Sequence, residues 1–194
     1  MGLDVEIAEI ARYMRMGRSL PEGALAERVA KLRDEASGVV RPARVWRRFE
    51  INDGAIGSED ARLEISGKLA RHLDGCRDAC LVCGTIGAGF DAFQRRASVS
   101  SGADALIVQA IGAAMVEKWM DAVEDEIRLA LAPGESLVER YSPGYGDFPL
   151  SAQRTVFALL DAPKLVGVSL TDTLLMVPSK SVSAVIGIRK VAAA

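Results

Sequence analysis

From Gly102 onward the apolar residues Ile107, Ile111, Met115, Trp119, Val123 and Ile127 recur at four-residue steps, until Pro133-Gly134 breaks the run. That step is close to one helical turn, so the spacing predicts a long helix over 102–131 with one apolar side and Asp and Glu opposite. Such a stripe must be covered by other parts of the chain. At 194 residues there is enough chain for one cored domain carrying a small helical lobe.

The remaining periodicities are mixed. Leu3, Ile7, Ile10, Ala11 and Met14 predict a first helix over 3–16. Ser19 is placed to cap a second, with Pro21 in its first turn and Leu25, Val29 and Leu32 as its apolar stripe. Between Val39 and Ile65 the pattern turns to strands among arginines, with Asn52-Asp53-Gly54 as a turn and Pro42 suggesting a sheet edge. Ser66 to Leu73 reads as a short helix, 79–86 as a buried strand and 87–96 as a helix. Strand and turn follow over 136–149, then a helix over 151–160. Two last strands, 173–177 and 181–188, are joined by Pro178-Ser179-Lys180. Without regular βαβα alternation the fold class is α+β. The expected architecture is a curved antiparallel sheet flanked by helices, with a helical arm over 1–38 and the α+β domain over 39–194.

Composition excludes several classes. Lys plus Arg total 24 against 26 Asp plus Glu, so no net field draws the chain to nucleic acid. No apolar run reaches the length of a membrane span, and the acidic Met1-Gly2-Leu3-Asp4-Val5-Glu6 start lacks signal-peptide order, which predicts a cytoplasmic protein. Arg41, Arg44, Arg47 and Arg48 form a basic run, read either as a solvated strand edge or as a docking patch for an acidic partner.

Arg140-Tyr-Ser-Pro-Gly144-Tyr145-Gly-Asp-Phe-Pro149 holds the pattern R-x3-G-Y-x3-P. In a chain this long it arises by accident about once in a thousand. The residue types suit a small zwitterionic ligand. Arginine offers a planar fork to a carboxylate, glycine lets backbone come close, and tyrosine supplies a flat wall with a polar tip. On chemistry alone the same loop is equally a rigid surface turn with a structural arginine.

This pattern resembles the AdoMet-binding signature of the activation domain of cobalamin-dependent methionine synthase, in its short stand-alone form. Cys83-Gly-Thr-Ile-Gly87, the helix around Ala114-Met-Val-Glu117-Lys-Trp and Pro178-Ser-Lys-Ser-Val-Ser-Ala184 are similar to that family in the expected order, over roughly 40–190. The resemblance implies an accessory protein that positions S-adenosyl-L-methionine (AdoMet) for reductive methylation of cob(II)alamin. The cobalamin would be carried by a partner, either a methionine synthase core or another corrinoid protein, with electrons from a flavodoxin-type donor. It places Arg140 on the methionine carboxylate, the backbone of Ser142 to Gly144 against the ligand, Tyr145 beside it near the corrin, and Glu117 as a carboxylate balancing its positive charge. The chain departs from the family in two ways. Residues 1–38 read as plain amphipathic helices without the family's aromatic-acidic segment, and Gly-Asp-Phe-Pro lacks a second proline, leaving Asp147 as the acid able to compensate. The alternative is an independent AdoMet-dependent methyltransferase acting on a small molecule.

Cys76, Cys80 and Cys83 fall at C-x3-C-x2-C, the spacing of radical-AdoMet enzymes. The last two lie in a strand-like run that sends them to opposite faces, so they read as buried free thiols and no metal is assigned. His72 is the only histidine, too few for zinc or a triad, and reads as polar surface on a short helix. Gly84-Thr-Ile-Gly87-Ala-Gly89 reads as a tight strand-to-helix turn.

Overall fold

The computed structural model describes residues 3–58 and 60–190. Its strands are β1 (Ala43–Asn52), β2 (Ala55–Gly57), β3 (Arg62–Glu64), β4 (Cys76–Thr85), β5 (Glu135–Leu137), β6 (Ser169–Leu170), β7 (Met176–Val177) and β8 (Ser181–Lys190). Its α-helices are α1 (Ile7–Tyr13), α2 (Gly23–Val39), α3 (Gly67–His72), α4 (Ala88–Ser100), α5 (Gly102–Leu129), α6 (Gln153–Leu160) and α7 (Ala162–Val166). Six strands form one sheet in the order β3-β2-β1-β4-β8-β5.

Strand β4 is buried continuously from Ala79 to Thr85, which explains why that run shows no polar alternation: neither face meets water. The β2–β3 and β5–β8 pairs are antiparallel, with Ile56 opposite Leu63 and Ser136 opposite Arg189. Arg41 N donates to Ile86 O and Ile86 N to Lys180 O, so β4 ends where β1 and β8 begin and runs antiparallel to both.

The chain clusters into two compact units. The first takes the residues up to Ala43, Thr85–Ala122 and Val177–Ser181. Val29, Leu32 and Ala36 of α2 are buried there with Phe90, Phe93 and Ala97 of α4 and with Ile107, Ile111 and Met115 of α5. Arg28 of α2 pairs with Asp104 of α5. At the turn into α4 the glycines are obligatory. A Cβ on Gly87 (φ +90°) would sit 2.8 Å from the Arg41 carbonyl oxygen, and one on Gly89 2.4 Å from that of Val39. The tight strand-to-helix turn expected there is present. The second unit holds Arg44–Gly84, Val123–Met176 and the chain from Val182 onward, including nearly all of the sheet.

Several local expectations change. The first helix is shorter than 3–16: Glu6 is still extended (ψ 143°) before it starts at Ile7, and beyond its end Arg15 (φ +61°) and Gly17 (φ +64°) turn the chain into left-handed backbone. Helix α2 begins at Gly23 rather than beside Ser19, and no side chain caps it. Pro42 precedes a strand lying between β2 and β4, although Ile51 and Asn52 are the β1 residues that pair with β2. The final hairpin is absent: β7 pairs with β6 in a small two-stranded sheet, while β8 joins the large one. The Pro178-Ser179-Lys180 segment is held elsewhere, with Ser179 N and Oγ donating to Asp91 and the Lys180 carbonyl taken by Ile86 N. Helix α7 was not expected. Asp161 in left-handed conformation (φ +52°) ends α6, and Pro163 then sits in the first turn of α7.

Candidate functional site

The segment that leads into Arg140 is fixed from one side by β8. Beyond β5, Val138 N donates to Gly187 O (3.0 Å), and Tyr141 exchanges both backbone hydrogen bonds with Val185 (2.9 and 3.0 Å). After Tyr141 the chain folds onto itself: Tyr145 N donates to Ser142 O (3.2 Å), Phe148 N to Tyr145 O (2.9 Å) and Gly144 N to Phe148 O (2.8 Å). Gly144 (φ +94°) and Gly146 (φ +60°) occupy left-handed backbone that L side chains rarely adopt. Gly146 also lacks room, since a Cβ there would meet Lys68 Cδ and Tyr141 Oη at 2.7 Å. Pro143 and Phe148 are buried under the turn, and the Phe148 ring stacks on Tyr141 at 6.1 Å.

What the loop turns outward is Tyr145, 69% exposed. The amides of Gly144, Tyr145 and Phe148 are satisfied within the turn, so its rigidity comes from its own backbone bonds. Arg140 is half-buried, and its guanidinium donates to the carboxylate of Glu124, a buried residue of α5 that Arg128 also reaches at 3.3 Å. Glu124 carried no mark in the sequence beyond standing on the acidic side of the long helix. Both oxygens of Asp147 accept from Lys68 N (2.9 and 3.2 Å), at the start of α3.

The loop residues Arg140, Ser142, Gly144 and Tyr145 thus lie together in the second unit. Glu117 belongs to the first unit, on α5. Tyr13 of α1 lies near it: burial raises the Tyr13 phenol above its ordinary value, and the Glu117 charge adds to the rise. Arg12 sits over the Tyr13 ring at 4.9 Å and pairs with Glu9.

The basic run is used inside the chain. Arg44 donates to Glu126 (2.7 Å), Arg47 to the Leu159 carbonyl (3.0 Å) and Arg48 to both Asp78 and Glu135 (2.7 Å each). Arg44 and Arg48 thus spend their charges on acids of the chain, whereas Arg47 and Arg41, which donates to the Gly38 and Val40 carbonyls, meet backbone oxygens. Arg48 also holds the Glu135 carboxyl down to about 2. Cys80 and Cys83 are fully buried on β4, and burial pushes both thiols up to about 12. Cys76, half-buried, is raised for the same reason. His72 ends α3, with Nε2 against the Glu139 carbonyl (2.5 Å) and its ring 5.0 Å from that of Tyr141. Among the described residues, no helix is long and apolar enough to cross a membrane.

The fold is shared with a solved structure. Among solved structures the chain is similar to one titled "Crystal Structure of the MetH Reactivation Domain bound to AdoHcy", with a TM-score of 0.62 at 16% identity, covering 94% of this chain and 76% of that one. At that identity the likeness establishes a shared fold. No curated protein matches the sequence. Residues 83–193, more than half of the chain, match the family "Vitamin B12 dependent methionine synthase, activation domain". By that match the chain belongs to the activation-domain family of vitamin B12-dependent methionine synthase.

Proposed function

We propose that this chain binds AdoMet at the Arg140–Phe148 loop and presents it to a cobalamin carried by a partner protein, for reductive methylation. The observation carrying this reading is the loop itself: a rigid turn with an outward tyrosine, beside a half-buried arginine held by an acid. Family membership and the fold shared with a domain whose structure contains AdoHcy support it. AdoMet would supply the methyl group, and an electron donor of flavodoxin type would supply the reducing equivalent to the complex.

The residues of this chain would act by position and charge. Arg140, already oriented by Glu124, offers its planar donors to the ligand carboxylate. Gly144 leaves the lip open, with Leu150 Cδ1 at 3.4 Å as the nearest group to its missing Cβ. Ser142 and Gly144 form the backbone edge against the ligand, and Tyr145 provides a flat wall.

Calorimetric titration of AdoMet and AdoHcy into the purified protein tests this directly. Saturable binding is expected, weakened at least about tenfold, roughly 1.4 kcal/mol, in Arg140→Ala. No heat with either ligand at millimolar concentration would overturn the reading. Conversion of AdoMet to AdoHcy with a small-molecule acceptor and no corrinoid would favour the independent methyltransferase instead.

A further inference from the structure

We propose that α3 is a positioning clamp for the Arg140–Phe148 loop, with His72 and the Lys68 amide, which holds Asp147, as its two jaws. On one side of the loop, His72 Nε2 lies 2.5 Å from the Glu139 carbonyl oxygen. A carbonyl can only accept, so the ring nitrogen donates. The same ring lies 5.0 Å from that of Tyr141. His72 therefore holds the residue before Arg140 and the residue after it.

On the other side, the Asp147 carboxylate accepts from Lys68 N at 2.9 and 3.2 Å, and Gly146 lies against the Lys68 side chain. Lys68 and His72 are four residues apart on α3, one turn, and so share a helix face. One short helix thus grips both ends of the segment from Glu139 to Asp147. Between the jaws, Tyr141 Oη donates to the Tyr145 carbonyl (3.3 Å), which ties the exposed tyrosine to the ring that His72 holds. None of these contacts uses the Arg140 guanidinium or the Tyr145 ring, the groups that the function proposed above assigns to the ligand. The clamp acts by removing loop freedom before binding, and preorganisation of this kind raises affinity without adding a contact. What the loop binds rests on the function proposed above, but its order can be read without any ligand.

The test therefore has two arms. In the ligand-free protein, His72→Phe keeps a ring against Tyr141 and removes the donor, and Asp147→Ala removes the acceptor that the Lys68 amide holds. Amide hydrogen exchange at Gly144, Tyr145 and Phe148 is expected to speed up about tenfold in each, the scale of one lost hydrogen bond. His72→Gln, which retains a side-chain N–H donor, should restore most of the protection. Arg28→Ala, which cuts the α2–α5 pair, controls for general loosening and should leave these amides unchanged. In titrations, His72→Phe and Asp147→Ala should weaken AdoMet by about tenfold while the unfolding midpoint stays within a few degrees of the parent. Native exchange rates in both jaw variants, or equal acceleration in Arg28→Ala, would overturn the clamp. Accelerated exchange with no AdoMet binding by the parent protein would support the clamp and sink the AdoMet reading alone.

Discussion

Arg140 shows what a single residue reveals in sequence and what it hides. Its spacing to Gly144 and Tyr145 is a linear pattern and was legible, as was the turn that the glycines and prolines require. Its partner was not, because Glu124 is sixteen residues away on another element and looks like any acid on a solvated helix face. Burial separates Glu124 from the acids nearest it on that helix, Asp121, Asp125 and Glu126. The Glu124 carboxylate takes charge-assisted bonds from both Arg140 and Arg128, so Glu124→Ala should lower the unfolding free energy by about 1–3 kcal/mol. Glu64→Ala, at an exposed pair with Arg62, should stay within about 0.5 kcal/mol. Chemical denaturation of the two variants decides this, and equal losses would contradict it. The cysteines make a second residue-scale prediction. With thiols pushed up to about 12, Cys80 and Cys83 should resist iodoacetamide at pH 8 in the folded protein, where Cys76 labels slowly. All three should label at once in strong denaturant, as counted by mass spectrometry. Labelling of Cys80 or Cys83 in the native state would mean that β4 is not covered on both faces.

Among elements, length decided what sequence periodicity captured. Helix α5 and strand β4 carry many residues of one pattern, and both stand where the spacing puts them. The two-residue strands β6 and β7 and the five-residue α7 are too short to generate a period, and they depend on single conformations such as Asp161 at φ +52°. The basic run also acts at this scale. Arg48 on β1 bonds Asp78 on β4 and Glu135 on β5, so one guanidinium ties three strands. The Glu135 carboxyl, at about 2, lies below its ordinary 4.5. A carboxyl depressed on folding contributes stability that is complete above the unfolded value and is lost as pH falls through the folded one. Melting temperature should therefore fall between about pH 5 and pH 2, and Glu135→Gln should flatten that part of the curve. Identical acid limbs for the two proteins would show that the network does not respond to pH through Glu135. At the turn into α4, Gly89→Ala should cost several degrees of melting temperature, because its Cβ would press on the Val39 carbonyl at 2.4 Å.

For the whole molecule, the class α+β followed from irregular alternation of periods, whereas strand order did not. Nothing local in 181–188 says that it pairs with β4 and β5 rather than with the strand just before it, since pairing is settled by burial across the chain. The apolar run in Ala184, Val185, Ile186 and Ile188 was the available hint that β8 is interior, as β4 is. The place of β8 has a consequence for synthesis. The strand that completes the sheet leaves the ribosome after β4 and β5, so for much of translation one side of Ala79–Thr85 has no hydrogen-bonding neighbour. An apolar strand with an open edge is a template for pairing with another chain. Nascent protein stalled before Ser181 should accordingly be captured by chaperones or aggregate, and release of ten more residues, β8 itself, should end that exposure.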